Sequence, residues 1–149
     1  MAETDLIKLY SQRILALAAD IPLAHRLDHP QGSATKRAPL CGSTVTVDVE
    51  LEGDRITGFG QDVKACALGQ AAASVVGRNI LGCSREETQA ARDQLAELLQ
   101  GTETAPKAPF EDLEVLRPAR EFKNRHASIL LCLDATLDAI DAAREHVIA

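Results

Sequence analysis

The sequence predicts an α+β fold in which a small antiparallel sheet of three strands packs against several helices. Its clearest strand is TVTVDVEL, residues 44–51, where a polar residue alternates with valine or leucine. This period of two is typical of a strand with one buried face. Gly53-Asp54 follows as a turn, so residues 55–63 are expected to return as the hairpin partner. Periodic apolar residues on both sides of the hairpin predict the helices.

An amphipathic helix is predicted near the N-terminus. Its apolar residues recur every three or four positions and form one stripe, which consists of Leu6, Tyr10, Ile14, Leu17 and Ile21. Pro22 is expected to end this helix. Residues 25–39 are polar and rich in turn formers, which indicates a loop that leads into a short edge strand near residues 34–40.

The returning strand of the hairpin contains two glycines, Gly58 and Gly60, which predict a β-bulge or a close backbone approach. Residues 67–78 are mostly Ala, Gly, Ser, Gln and Val, a composition that suits a helix packed closely against its neighbours. After a break at residues 79–83, Ser84 and Glu87 form the pattern of a capping box. A further helix therefore begins at this point.

The capped helix is expected to run to Gln100 and to end at Gly101. After a linker, residues 110–116 predict a helical turn that ends before Pro118. The last helix is expected to start at residues 119–122 and to reach about His146. One inward stripe of this helix contains Phe122, His126, Ile129, Leu133, Leu137 and Ile140.

Composition narrows the classes of function. The chain of 149 residues, with 46% hydrophobic and 26% charged residues, fits a single domain over residues 1–149. No secretory leader and no long apolar run is visible, which predicts a cytoplasmic protein without a membrane partner. A net charge of −6, with three phenylalanines and one tyrosine, argues against nucleic-acid binding. A partner with a basic face suits this charge better.

Four cysteines in a reducing compartment are expected to pack, to bind metal or to react. None forms a C-x-x-C pair, so a metal site would have to be built by the fold. Cys66 precedes the helix at residues 67–78, where free N–H groups and the helix dipole favour a thiolate, although a buried packing role is equally compatible. Cys41 precedes the clearest strand. The hairpin therefore brings both thiols to the same end of the sheet.

The inward His126 adds an imidazole to these thiols, and Cys41, Cys66 and His126 together form a donor set for a soft metal. When His126 is taken alone, a hydrogen-bonded core histidine explains it better than a metal ligand does. Cys132 lies about 240° around the helix from His126 and is expected to face elsewhere. Cys83 is expected to pack. No P-loop, dinucleotide, G-x-S-x-G or H-E-x-x-H motif is present, so a hydrolase or dehydrogenase is poorly supported.

Three segments together resemble the NifU/IscU-like family of iron–sulfur cluster assembly scaffolds, namely PLCGSTVTVDVEL, VKACALGQAAASVV and AREFKNRHASILLCLDATLDAI. The resemblance implies an IscU/SufE-like fold and a non-enzymatic scaffold or carrier. It implies that Cys41, Cys66 and His126 hold iron, a [2Fe–2S] cluster or zinc. The implied partners are a cysteine desulfurase and recipient apo-proteins, and a homo-oligomer is left open.

Two positions depart from the family pattern. The Asp expected after Cys-Gly is Ser43, and the third Cys is Ala127. Since a cluster or a closed zinc site takes four ligands, three protein groups leave a position for water, a partner's cysteine or a small thiol. The expected site is therefore open and labile.

Two other functions are compatible with these residues. The chain can be a degenerate paralogue that acts as a regulatory interaction module of the iron–sulfur assembly machinery. It can also be a persulfide-accepting sulfur-transfer protein, with Cys66 as the sulfur carrier and His126 as the proton donor.

Overall fold

The computed structural model describes residues 11–148. This part of the chain contains one three-stranded antiparallel sheet, four α-helices and two 3₁₀ helices, which confirms the α+β prediction. In chain order the elements are α1 (Gln12–Ala19), β1 (Gly32–Arg37), β2 (Thr44–Glu52), β3 (Arg55–Lys64), α2 (Ala67–Asn79), α3 (Arg85–Leu99), the 3₁₀ helices Glu111–Glu121 and Lys123–Arg125, and α4 (His126–Ile148).

The sheet has the strand order β1-β2-β3. One face buries the valines of β2, as their alternation predicts, and α4 packs against β1 and β2. At one end of the sheet Arg37 pairs with Thr44, and Thr44 pairs with Lys64. The turn between β1 and β2 and the start of α2 therefore meet at this end, which carries both Cys41 and Cys66.

Both glycines of β3 have the roles that their positions predict. The register of the hairpin shifts between Glu50 and Leu51, opposite Gly58, which is the predicted bulge. At Gly60 an added Cβ would overlap the backbone oxygen of His25. The absence of a side chain thus lets residues 20–31, here called the strap, run directly over the outer face of β3.

A buried carboxylate holds the strap on the sheet. Asp48 of β2 has a fully buried side chain, and it accepts hydrogen bonds from Arg26 (2.7 and 3.0 Å), from the Leu27 backbone N–H (2.9 Å) and from Ser33 Oγ (2.5 Å). Burial by itself would raise the pKa of Asp48, but these hydrogen bonds outweigh it and lower the pKa below its usual value. The charge is therefore compensated within the fold.

The N-terminal elements differ in part from their predictions. Leu6 and Tyr10 of the predicted stripe lie outside the described residues, and α1 ends at Ala19, before Pro22. The edge strand is β1 at Gly32–Arg37, so the predicted bounds of 34–40 were wrong. The strand ends early because the Ala38 N–H donates to the Ser43 carbonyl (2.8 Å), which closes a tight turn.

The segment before the last helix was also predicted incorrectly. It does not stop before Pro118, because the first 3₁₀ helix contains this proline and continues to Glu121. Proline removes an N–H and clashes within an α-helix, whereas burial of Leu116 and Ala119 on either side keeps the chain wound as a 3₁₀ helix. As a result α4 starts at His126 and not at residues 119–122.

The helix ends around α3 agree with the sequence. Ser84 Oγ accepts from the Glu87 N–H (3.1 Å), and the Ser84 N–H donates to the Glu87 carboxylate (3.1 Å), so both halves of the capping box are present. Gly101 follows the helix with a φ of +93°. Across residues 11–148, no helix is long and apolar enough to cross a membrane.

Candidate metal centre

The two predicted thiols are presented by tight local structure at the same end of the sheet. Cys41 lies in the turn between β1 and β2, where the Gly42 N–H donates to the Ala38 carbonyl (2.8 Å) and Gly42 has a φ of +72°. Cys66 is the N-cap residue of α2, and its side chain makes no capping hydrogen bond. Both thiols are half-buried, so solvent reaches them.

A close approach of two helices brings α4 to Cys66. One turn into α2, an added Cβ at Gly69 would lie only 2.8 Å from Ser128 Oγ and 3.0 Å from the Ser128 carbonyl oxygen. A larger residue at position 69 would push the first turn of α4 away. The small-residue composition of α2 predicts this kind of packing, and here it places the Ser128 hydroxyl beside the Cys66 thiol.

Two serine hydroxyls connect the thiols. Cys41 Sγ lies 3.4 Å from Ser43 Oγ, Ser43 Oγ lies 2.9 Å from Ser128 Oγ, and Ser128 Oγ lies 3.5 Å from Cys66 Sγ. Both serines are buried. We call this pair the Ser43–Ser128 bridge. It brings Cys41 and Cys66 into one hydrogen-bonded cluster.

Hydrogen bonds from the serines favour the thiolate of Cys41. Ser128 Oγ donates to Ser43 Oγ, which leaves the Ser43 proton available to Cys41. Hydrogen bonds from the Ser43 side chain and from its backbone N–H lower the pKa of Cys41, and the positive charge of Arg125 acts in the same direction. Cys41 therefore ionises more readily than an ordinary thiol.

His126 has a defined tautomer. Its Nε2 lies 3.1 Å from the carbonyl oxygens of both Ala119 and Arg120. Because carbonyl oxygens only accept, Nε2 is the protonated nitrogen of the neutral ring, and in that tautomer Nδ1 has the lone pair. A metal-binding histidine usually donates its other ring N–H to a carbonyl or carboxylate in this way. Nδ1 is thus the atom of His126 that can bind a metal.

The structure joins Cys41 and Cys66 but does not gather the whole predicted set into a preformed site. Within residues 11–148, no group of three or more His, Cys, Asp or Glu side chains is arranged to hold a metal ion. The chemistry of two thiols and a free Nδ1 suits a soft metal, whereas the Ser43–Ser128 bridge now stands between the two sulfur atoms. The ligand set Cys41, Cys66 and His126 stays a prediction.

The other two cysteines face elsewhere, as predicted. Cys132 is buried and donates to Gln61 Oε1 (3.2 Å), and burial raises its pKa to about 12. Cys83 is buried and donates to the Asn79 carbonyl (3.2 Å), and burial together with the nearby Glu87 charge raises its pKa. Both are packing residues of the core.

These environments predict a clear order of alkylation in the native protein. At pH 7.5 iodoacetamide is expected to modify Cys41 at least about 100-fold faster than Cys83 or Cys132, because only the exposed thiolate reacts quickly. Mass spectrometry of peptides after timed quenching measures the rates. In 8 M urea the three rates should become similar, and native labelling of Cys132 as fast as that of Cys41 would contradict the assignment.

Ser128 is the site residue that sequence patterns did not indicate. A serine two positions after His126 has no motif, and its partner Ser43 lies 85 positions earlier in the chain. Cys41 also borders a surface depression of about 340 Å³ lined by Leu40, Asn124 and Arg125. The end of the sheet that carries Cys41 and Cys66, here called the thiol end, is therefore an open, accessible surface.

The fold and the site thus define a small α+β domain that presents two linked thiols at an open end of its sheet. Comparisons with known proteins agree with this class. The chain is 40% identical to a nitrogen-fixing NifU-like protein (N-terminal) from Brucella abortus, whose crystal structure superposes with a TM-score of 0.91 over 95% of this chain and 98% of that chain. The chain belongs to the NifU/IscU-like family.

Two further relatives are more distant. The iron–sulfur cluster assembly scaffold protein IscU of Streptococcus pyogenes serotype M1 is 26% identical over 102 residues. These residues are 68% of this chain and 64% of that IscU, so the match spans somewhat less than two thirds of the IscU. The putative iron–sulfur cluster assembly scaffold protein for the SUF system from Fervidobacterium islandicum AW-1 is 18% identical and shares the fold. Its crystal structure superposes with a TM-score of 0.79 over 90% of this chain and 98% of that chain. No protein-family model matches the chain.

Proposed function

We propose that this protein is an iron–sulfur cluster assembly scaffold that receives iron and sulfur at Cys41 and Cys66 and passes the product to apo-proteins. The observation that carries the proposal is the cluster of Cys41, Ser43, Ser128 and Cys66 at the open end of the sheet. Relatives named as scaffolds support the same role. In this function the metal and sulfur are cargo, and the protein itself is not an enzyme.

Each donor has a distinct part in this proposal. Cys41, whose pKa is lowered, supplies the first thiolate, and Cys66 supplies the second. His126 is a third ligand through Nδ1, because its Nε2–H donates to two carbonyls. The cluster or ion displaces the Ser43–Ser128 bridge from between the sulfurs. The fourth ligand comes from outside the chain, since Ala127 has no donor atom.

The proposal extends to the cargo and to its exchange. A [2Fe–2S] cluster or iron is the preferred cargo, and zinc is a substitute that the same soft donors accept. A cysteine desulfurase supplies the sulfur in a cytoplasmic setting, and the chain acts as one domain. An incomplete, exposed ligand set favours rapid transfer over permanent storage, which is what a scaffold requires.

Anaerobic reconstitution tests the function. Incubation with ferric iron and sulfide is expected to give visible absorption in the wild-type protein and less than about one tenth of it in Cys41→Ser or Cys66→Ser, because each variant leaves at most two of the three protein ligands. Iron and acid-labile sulfide are measured on the desalted protein. Cys83→Ser is a matched control, since Cys83 lies in the core and a serine can keep its hydrogen bond to Asn79.

One alternative is favoured by a specific observation. Ser43 and Ala127 stand where the family pattern has Asp and Cys, which suits a regulatory paralogue that keeps the fold without a cluster. A colourless, metal-free product in the wild type and in both cysteine variants would remove the scaffold proposal and favour this role. A sulfur-transfer role would instead be shown by incubation with a cysteine desulfurase and cysteine, whose enzyme-bound persulfide passes its outer sulfur to the Cys66 thiolate. The expected product is an adduct of about 32 Da on Cys66 without any bound iron.

A further inference from the structure

In the described part of the chain, the lysines and arginines that form no ion pair with a described carboxylate are concentrated at the thiol end. Among the residues that the structure describes, eight lysines and arginines form ion pairs within 4.0 Å of a carboxylate. Seven described cations form none, and five of these lie on segments that flank the thiols. We call these five the thiol-end cations: Arg37, Lys64, Arg120, Lys123 and Arg125.

The fold explains why these cations are close to the thiols. Arg37 and Lys64 both pair with Thr44, one from each neighbouring strand. They are the last residues of β1 and β3, and therefore lie at the same end of the sheet. Arg125 lines the depression beside Cys41. Arg120 and Lys123 belong to the 3₁₀ segments that lead into His126, and the Arg120 carbonyl is a partner of that imidazole.

Acidic residues do not cancel this charge. Glu121 is exposed in the same 3₁₀ segment, and Asp62 on β3 is near enough to Arg26 to interact with its charge. The five thiol-end cations outnumber these two acidic residues, so positive charge is in excess around Cys41 and Cys66 in a chain whose net charge is −6. The total charge suggests a basic partner, but the charge at this end attracts an acidic one.

An exposed leucine lies on this basic surface, where it lines the same depression as Arg125. Leu40 is 79% exposed, compared with 52% for Leu81 and 48% for Leu15, the other exposed large hydrophobic residues in the described part of the chain. It precedes Cys41 in a turn held by two backbone hydrogen bonds between Ala38 and residues 42 and 43, each 2.8 Å long. A leucine held outward in a hydrogen-bonded turn is suited to enter a pocket of a partner.

We infer that the thiol end docks on an acidic protein surface that has an apolar pocket for Leu40. The inference rests on the proposed function and specifies its partner: the cysteine desulfurase that delivers sulfur at Cys41 presents negative charge around an apolar pocket. A protein fits better than a nucleic acid, because phosphates offer Leu40 no apolar pocket and the acidic remainder of the chain repels a long polyanion.

Binding to the organism's own cysteine desulfurase tests the inference. Isothermal titration at 50 mM NaCl is expected to show that Lys123→Glu and Leu40→Ala each weaken binding about tenfold or more. Two matched controls change the same residue types at exposed positions outside the thiol end, Lys107→Glu and Leu81→Ala, and they should stay within about twofold of the wild type. Raising the salt to 300 mM should weaken the wild-type complex and affect Lys123→Glu less.

The outcomes separate this inference from the proposed function. All four variants should still assemble a cluster from iron and sulfide, because none of them changes a thiol, His126 or the Ser43–Ser128 bridge. If the wild type assembles the cluster but does not bind the desulfurase, or if the controls weaken binding as much as the thiol-end variants, the docking surface is wrong and the scaffold function stands. Binding of a 20-base-pair DNA duplex with the same sensitivity to Lys123→Glu would also overturn the inference. The thiol end would then bind polyanions in general and not a specific protein surface.

Discussion

A protein with Ala127→Cys is expected to bind Zn²⁺ about 100-fold more tightly than the wild type. Ala127 is exposed in the first turn of α4, between His126 and Ser128, where the family pattern has its third thiol. A structural zinc site with four ligands is worth about 10–16 kcal/mol, so one thiolate contributes roughly 3 kcal/mol. That free energy corresponds to about two orders of magnitude in Kd.

Competition with a chromophoric chelator at pH 7, under anaerobic conditions, measures this affinity. Ala127→Ser is the matched control, because a serine of the same shape lacks the soft thiolate and should stay within about threefold of the wild type. Equal affinities for Ala127→Cys and Ala127→Ser would show that the metal is held away from the start of α4. In that case His126 would lose its role as a ligand as well.

Gly32→Ala is expected to lower the free energy of unfolding by about 3 kcal/mol, at the upper end of overpacking costs. β1 passes so close to α4 that a Cβ at position 32 would overlap the backbone oxygen of Ala139 and the backbone nitrogen of Ala143. Backbone atoms cannot rotate aside as a side chain can, so the strand and the helix must separate. Urea denaturation followed by circular dichroism gives the change directly.

Gly58→Ala is the control for this prediction, since it adds the same methyl group to another strand of the sheet. The three atoms nearest to its Cβ all belong to the side chain of Glu50: the carboxylate can turn toward solvent, and the Glu50 Cβ at 3.1 Å has to shift by only a few tenths of an ångström. We expect a loss below about 1 kcal/mol. A Gly32→Ala protein that unfolds at the wild-type urea concentration would mean that β1 and α4 are not packed as described.

The convergence of Cys41 and Cys66 could be predicted because it depends on local patterns. Alternation in β2 and the turn at Gly53-Asp54 define an antiparallel hairpin, and a hairpin brings the residues before its first strand and after its second strand together. The capping box at Ser84 is equally local, since it involves residues three positions apart. Such features are determined by neighbours in sequence.

The remaining features could not be predicted in this way. Nothing near Pro118 in the sequence shows that burial of Leu116 and Ala119 carries a 3₁₀ helix through the proline. Nothing near Asp48 shows that Arg26, 22 positions earlier, compensates its buried charge. In both cases the deciding contacts come from other layers of the fold, and these can override a local preference.

The sequence by itself determined the class of fold, the hairpin, the helix caps and the two thiols that the hairpin brings together, because these follow from side-chain periods and turn residues within short segments. Only the tertiary structure decided that Ser43 and Ser128, 85 positions apart, link those thiols. It also decided that the His126 Nε2–H faces two carbonyls and that the five thiol-end cations form no ion pair with a carboxylate of the described residues. The physical reason is that hydrogen bonds and ion pairs depend on distances of a few ångströms between groups far apart in the chain, and packing alone sets those distances.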